Sequence, residues 1–341
     1  MIHFKILIDL KTMKKQFLMT LVVIFTCGII YSQNLIRVNN NPDIDADYTN
    51  LQDANNNASN GDTIYVESST TVYSSVNINK RVTIIGPGFF LEENPNTQAN
   101  KFEAILTSIS FEAGSDGSVI IGCELSSNVT INADNITVKK CKPYTINIAS
   151  PIENILILQN YISGHISGNG TITNSIISNN IVRYRIKLNP GGPVQISNNV
   201  IIGSSSTYDA INSYNSTIQN NIIVYESGLI QTNTGNSINN NILAIDGTNA
   251  NGNQYNIVMS QVFEDYDGSL EFSTDGKWQL KAGSPAIEAG IDNVDCGAFG
   301  GVIPYVLSGL PDLPHIYEAT IPATADSEAG LSVTVKVKSG N

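Results

Sequence analysis

The chain has 341 residues, enough for one large domain or two small ones. With 18 Lys and Arg against 30 Asp and Glu it carries a formal net charge of −12, a balance that disfavours nucleic acid and anionic membranes as partners. Only 14% of residues are charged and 7% aromatic, while Asn, Ser, Thr, Ile and Gly are abundant. This suits many short strands and turns and argues against a helical protein.

At the start, Lys14 and Lys15 lead into FLMTLVVIFTCGIIYS, a basic segment followed by an apolar run that is short for a membrane span and right for a secretory signal. Residues 1–32 are read as this signal region, with cleavage near Ser32 or Gln33 and Met13 as an alternative start. An uncleaved anchor would need a longer apolar run, and Phe25 and Thr26 fit a lipidation box at Cys27 poorly. The expected location is therefore secreted, extracellular or in the cell envelope, with no transmembrane segment after cleavage. Losing Lys5, Lys11, Lys14, Lys15 and Asp9 takes 18 basic residues to 14 and 30 acidic ones to 29, moving the net charge from −12 to −15. Polyanionic glycans then become awkward ligands unless a local basic patch overrides the average. Cys123, Cys141 and Cys296 are too few for a disulfide scaffold or a zinc site.

Next, DADYTNLQDANNNASNGDTIYV predicts a short helix capped by Asp47 or Thr49, with Leu51, Ala54 and Ala58 on one face. A Gly-Asp turn leads from it into a strand over Thr63 to Glu67. Such a helix can act as a lid on the end of a stack of strands. Asp43, Asp45 and Asp47 invite a calcium loop, but Tyr48 and Ala54 stand where the sixth-position Gly and twelfth-position Glu would be needed.

From residue 156 to 243 a pattern recurs: LILQNYI, SIISNNIV, QISNNVI, TIQNNII and SINNNIL. Aligned on Asn160, Asn180, Asn199, Asn221 and Asn241, the units repeat at 20, 19, 22 and 20 residues. Three positions earlier stand Ile157, Ile177, Ile196, Ile218 and Ile238; two positions later stand Ile162, Val182, Ile201, Ile223 and Leu243. A unit of this length without helical periodicity fits one coil of a parallel β-helix, whose rungs stack at about 4.8 Å. Equivalent residues then lie above one another, so an inward-leaning Asn can donate to one neighbouring rung and accept from the other in a ladder. The same Asn tolerates the unusual backbone angles of a turn.

The Asn ladder, the β-branched columns and the GDTIYV opening resemble right-handed parallel β-helix proteins of the pectate-lyase-like superfamily, over roughly Asp62 to Gly300. That resemblance implies the fold and not an activity, since the superfamily includes lyases, hydrolases and adhesins. The expected architecture is all-β: a right-handed parallel β-helix of nine or ten rungs over residues 33–300, with the capping helix at its start, and a monomer. WQLKAGSPAIEAGIDNVDCGAFGG resembles a closing segment in which Trp278, Leu280, Ile287 and Phe299 cover the last rung and Asp295 serves a turn. Residues 301–341 form a Pro-containing tail with one alternating strand, Leu331 to Lys338.

Register arithmetic also nominates a surface. Five positions after each ladder Asn come His165, Arg185, Ser204, Glu226 and Asp246, a possible base, a cation and two acids on one face. A lyase would use Arg185 as base and Glu226 with Asp246 as calcium ligands, but these lie two and three rungs from Arg185, about 10–15 Å. No Arg-x-Pro-x-x-Arg stretch of the lyase kind is present. Glu226 and Asp246 on adjacent rungs could reach the spacing of a retaining glycosidase, yet the paired-aspartate contexts of polygalacturonase-like proteins are missing from these rungs. Binding asks for less. Arg183, Arg185 and Lys187 alternate in VRYRIKL and could hold a uronate or sulfate, with Tyr184, Tyr208, Tyr214 and Tyr225 available to stack on sugar rings. The expectation is an exported, non-catalytic binder of polysaccharide or a cell-surface component that requires no cofactor. The alternative is a divergent polysaccharide lyase or hydrolase, with calcium needed only by the lyase.

Overall fold

Short β-branched segments separated by left-handed turns give three long parallel sheets and two parallel strand pairs. The structure, a computed structural model, describes residues 33–189, 191–203, 209–268, 271–324 and 330–339; the signal reading of residues 1–32 lies outside them. A ten-stranded parallel sheet runs from Leu35–Val38 to Ser237–Asn239, a seven-stranded one from Val76–Ile78 to Ile211–Asn212, and a five-stranded one from Tyr161–Ile162 to Ile242–Leu243. Ten strands in one sheet correspond to nine turns of a parallel β-solenoid, and Leu35–Asn341 form one compact unit. Among the described residues no helix is long and apolar enough to cross a membrane.

The inner core is built from columns. Ile36, Ile64, Ile84, Ile120, Val138, Ile157, Ile177, Ile196, Ile218 and Ile238 are joined in register through all ten strands, so the aliphatic column seen in the repeat continues five rungs toward the N-terminus. Val76, Ile109, Val129, Ile146, Ile166, Ile186 and Ile211 form the matching column of the seven-stranded sheet. Each fully buried Val or Ile contributes on the order of 1.5–3 kcal/mol.

The two Asn of each pair have different tasks. The second faces inward and forms the ladder. From Asn160 through Asn180, Asn199, Asn221 and Asn241, each Nδ2 donates to the next Oδ1 at 2.8–2.9 Å. The same Oδ1 accepts the backbone N–H of the preceding ladder Asn at 2.9–3.0 Å. Each Nδ2 also donates to a carbonyl of the aliphatic column in the rung before, such as Ile157 for Asn180. The ladder has a sixth member, Asn253, only twelve residues beyond Asn241. Its foot is Cys141, whose N–H donates to Asn160 Oδ1. Cys141 and Cys123 are free and buried, and burial pushes the Cys141 thiol up to about 12.

The first residue of each pair turns the corner. Gly122, Lys140, Gln159, Asn179, Asn198, Asn220 and Asn240 all have φ between +52° and +69°, the left-handed region that Asn tolerates better than most side chains. These side chains point out of the coil and hold the segment that follows the last rung. Asn240 donates to Ala289 O, Asn220 accepts from Ile291 N–H, Asn198 donates to Asp295 O, and Asn179 donates to Ala298 O and Gly300 O. Gln159 donates to Pro304 O, and Lys140 pairs with Asp312 at 2.5 Å. The chain thus returns along the flank of the solenoid, antiparallel to its growth.

That return corrects the expected closing lid. Trp278 is buried and meets Phe263 edge-on at 5.2 Å, in a second core with Cys296, Ala298 and Tyr305; Leu280 and Phe299 pack beside it and Ile287 is exposed. This core lies on Tyr161, Ile181, Val200, Ile222 and Ile242, the outward residues of the five-stranded sheet, which is therefore buried on both faces. The last rung is instead followed by the Asn253 segment, where Gln254 bridges to Ile242. Asp295 does serve a turn, accepting from Glu288 N–H. Buried Asp275 accepts from Asn94 Nδ2, Tyr305 O–H and Ser308 N–H at 2.7–3.1 Å, joining the long insertion after Ile85 to the returning chain.

At the other end helix α1, Leu51–Asn57, is capped by Asn50 and not by Asp47 or Thr49: Asn50 Oδ1 accepts from Asp53 N–H at 2.8 Å, while Asp47 accepts from Arg37 N–H. Gln52 and Asn55 side chains bond the backbone N–H and C=O of Asn77, satisfying the open edge of the seven-stranded sheet. In the tail the expected strand forms over Thr334–Lys338, paired antiparallel with His315–Thr320.

The division of labour predicts unequal mutants. Asn199→Leu orphans the Asn180 N–H and a core carbonyl, at about 1–3 kcal/mol for each group left unpaired. Asn198→Gly keeps the left-handed corner and loses the bond to Asp295 O, about 0.5–1.5 kcal/mol, together with a long one of 3.5 Å from Asn220 Nδ2. Urea unfolding midpoints measure both; equal losses would contradict the separate roles.

Candidate functional site

In the seven-stranded sheet, inward aliphatic residues alternate with a row facing outward. Strand register joins Asn77, Ser110, Thr130, Asn147, Ser167, Lys187 and Asn212 in order, one per rung. Their side chains are small or long polar groups, exposed or half-buried, and Ser167 Oγ donates to Asn147 Oδ1 at 2.9 Å. The result is a flat polar strip with a repeat set by the backbone, about 4.8 Å.

The nominated surface column divides. His165 and Arg185 do stack: both precede strands of this sheet, and Ile166 N–H donates to Arg185 O. The next residue in that column is Ala210, followed by Leu229, because Ile186 pairs with Ile211. Ser204, like Tyr208, lies outside the described residues. Glu226 and Asp246 lie elsewhere, lining a groove of about 510 Å³ that Asp267 and Tyr266 also line. His165 and Arg185 are not among its walls. Among the described residues no three His, Cys, Asp or Glu side chains converge as a metal-ligand set, so these acids line one groove without forming a cage.

VRYRIKL is not one strand. It breaks between Ile181–Val182 and Ile186–Leu188 because Val182 and Ile186 both turn into the core from different sheets. Arg183 is exposed, its guanidinium 5.8 Å from the Tyr184 ring, while Arg185 and Lys187 flank Ile186 on the seven-stranded sheet. Tyr225 leans over Gly203, where an added Cβ would come within 1.8 Å of its ring. Burial, then the charge of Asp209, pushes its phenol up to about 12, against the opposing pull of Arg185. Tyr214 is half-buried.

The polar strip itself was not found from the sequence. Its signal is weak: single polar residues between paired aliphatics, in strands of three or four residues. No protein family, curated protein or solved structure matches the chain. What the geometry defines is a class of fold, an all-β parallel solenoid with an asparagine ladder.

His165 gives a direct check on this corner. Burial, then repulsion from Arg185, lowers its pKa from 6.5. The unfolded chain then takes up the proton first, so stability falls as pH drops from about 6.5 to the lowered folded value and levels off below it. NMR titration of the ring should show a value under 6.5 that Arg185→Ala raises only partly, since burial is the larger cause.

Proposed function

We propose that the protein is an exported, non-catalytic binder of extended polysaccharide, of the pectate-lyase-like β-helix type, and that the outer face of the seven-stranded sheet is its binding surface. The observation that carries this reading is the in-register row from Asn77 to Asn212. An extended β-linked glycan repeats its pyranose units at a step close to the rung spacing. Each linkage turns the next sugar by about half a turn, so a glycan lying along the solenoid axis sets one sugar against one polar side chain per rung and presents equivalent hydroxyls at every second rung. Lys187 in the row, with Arg185 beside it, adds the local positive charge that a uronate or sulfate requires in an acidic protein. The partner is a polysaccharide or a glycan-bearing cell-surface component, bound by a monomer, with no nucleic acid involved. The parallel coil, the ladder and the GDTIYV opening support the superfamily assignment.

Affinity electrophoresis against neutral and uronate glycans tests the face. Wild-type protein is retarded by at least one glycan; Lys187→Ala with Asn147→Ala weakens retention about tenfold, while Thr217→Ala on the ten-stranded sheet leaves it unchanged. Retention that ignores the paired substitution refutes the assignment of this face.

One observation favours a second reading: Glu226 and Asp246 share a groove, as a hydrolase or lyase acting on the same polymer would need. Release of reducing or unsaturated sugars, with calcium or with chelator, and its loss in Glu226→Gln, would place catalysis there.

A further inference from the structure

Where the returning chain passes Lys140 and Gln159, it leaves a cavity of about 680 Å³ bounded on the far side by Asn94–Thr97. That lies within the range of small-molecule sites, roughly 300–1,000 Å³. Its wall is mainly apolar, from Ile303, Pro304, Leu307 and Leu310, and its rim carries Val302, at 94% exposure the most exposed large hydrophobic residue among those described. An apolar wall with a wet rim favours a ligand that has a body to bury.

A few polar groups are set into that wall with capacity left over. Lys139 and Lys140 both donate to the single carboxylate of Asp312, at 3.2 and 2.5 Å, so positive charge is in excess. Lys140 is only 2% exposed, whereas Asp312 is 47% exposed and free to share its partners with a second anion. Lys338 also borders the cavity and has no ion pair among the described residues. Gln159 is 5% exposed; its amide nitrogen donates to Pro304 O, but its carbonyl oxygen accepts no hydrogen bond. A buried acceptor left without a donor is costly and calls for one.

We propose that this cavity binds a small organic acid: its carboxylate at Lys139 and Lys140, its apolar body against Ile303 to Leu310, and a hydroxyl or N–H donor turned to the Gln159 carbonyl. The site is distinct from the glycan face and does not depend on it. Burial lowers the Lys140 pKa below the usual lysine range despite Asp312, while Asp312, drawn up by burial, is held low by its two lysines. A second carboxylate would compensate the ammonium that has given up most of its water.

4-Hydroxycinnamate carries all three features and serves as the probe in isothermal titration calorimetry with the whole chain. Cinnamate lacks the donor, methyl 4-hydroxycinnamate lacks the charge, and inorganic phosphate lacks the body. Saturable one-to-one binding of the probe is expected, about tenfold weaker for cinnamate and for the ester, with no competition from phosphate. Lys140→Asn and Gln159→Asn place at each corner the residue that other rungs use there, so both should fold. The first should abolish the preference for acid over ester, and the second the preference for hydroxycinnamate over cinnamate. Absence of saturable binding at millimolar probe, or equal binding of acid and ester, overturns the proposal. The wild-type ligand series decides alone should either variant fail to fold.

Discussion

Everything in this molecule depends on how the coil turns its corner after the ten-stranded sheet. A parallel coil has to change direction there on every rung, and a left-handed residue does so in one step. It also leaves backbone groups at the turn facing inward, where water cannot reach them. The neighbouring ladder Asn supplies partners for them: Oδ1 takes the backbone N–H of the preceding rung, and Nδ2 takes a carbonyl of the aliphatic column. Because each amide must meet the one above at hydrogen-bond distance, register is fixed from Asn160 to Asn253. The aliphatic columns then align without further specification.

This arrangement explains what could be read in the sequence. Asn-Asn followed by two aliphatic residues, in four rungs, with Gln159-Asn160-Tyr161-Ile162 in a fifth, is unusual enough that five rungs and three columns were legible from spacing alone. The rungs before Asn160 were not, because Cys123 and Cys141 occupy the ladder column and Gly122 and Lys140 the corner. Asn253 was hidden by an interval of twelve, since the final coil omits most of its turn. The destination of the closing segment was written in the paired aliphatics after each ladder Asn. Two adjacent apolar residues on a strand must face opposite ways, so Ile181 beside Val182 already required a covering layer outside the solenoid.

The candidate site was legible only as far as the sheets keep step. In the five-stranded sheet Ile201 follows Val182 by 19 residues and Ile223 follows by 22 more, so arithmetic from the ladder holds there. In the seven-stranded sheet Ile186 pairs with Ile211, an interval of 25, because residues are inserted between the two sheets. His165 and Arg185 precede that insertion and stack as counted; Glu226 and Asp246 follow it and belong to a different surface. The faces also differ in character. The five-stranded sheet is closed by the returning chain, and the ten-stranded sheet turns half-buried Val119, Ile121, Leu156, Leu158 and Ile176 outward. The seven-stranded sheet alone offers an unbroken polar row.

The corner column also measures how far the returning chain stands from the solenoid. From Asn240 to Asn179 the corner side chain is Asn throughout, and its short amide reaches the backbone of residues 289–300 directly. At the next rung it is Gln, one methylene longer, reaching Pro304; at the next it is Lys, longer again, reaching the side chain of Asp312. Side-chain length grows as the chain diverges, and the cavity lies in the gap these longer residues span. An Asn corner would close the register equally well at both positions, since the backbone asks only for a left-handed residue. The use of Gln and Lys therefore reflects the gap and not the coil. The same two residues carry the unsatisfied carbonyl and the surplus charge that give the cavity its chemistry.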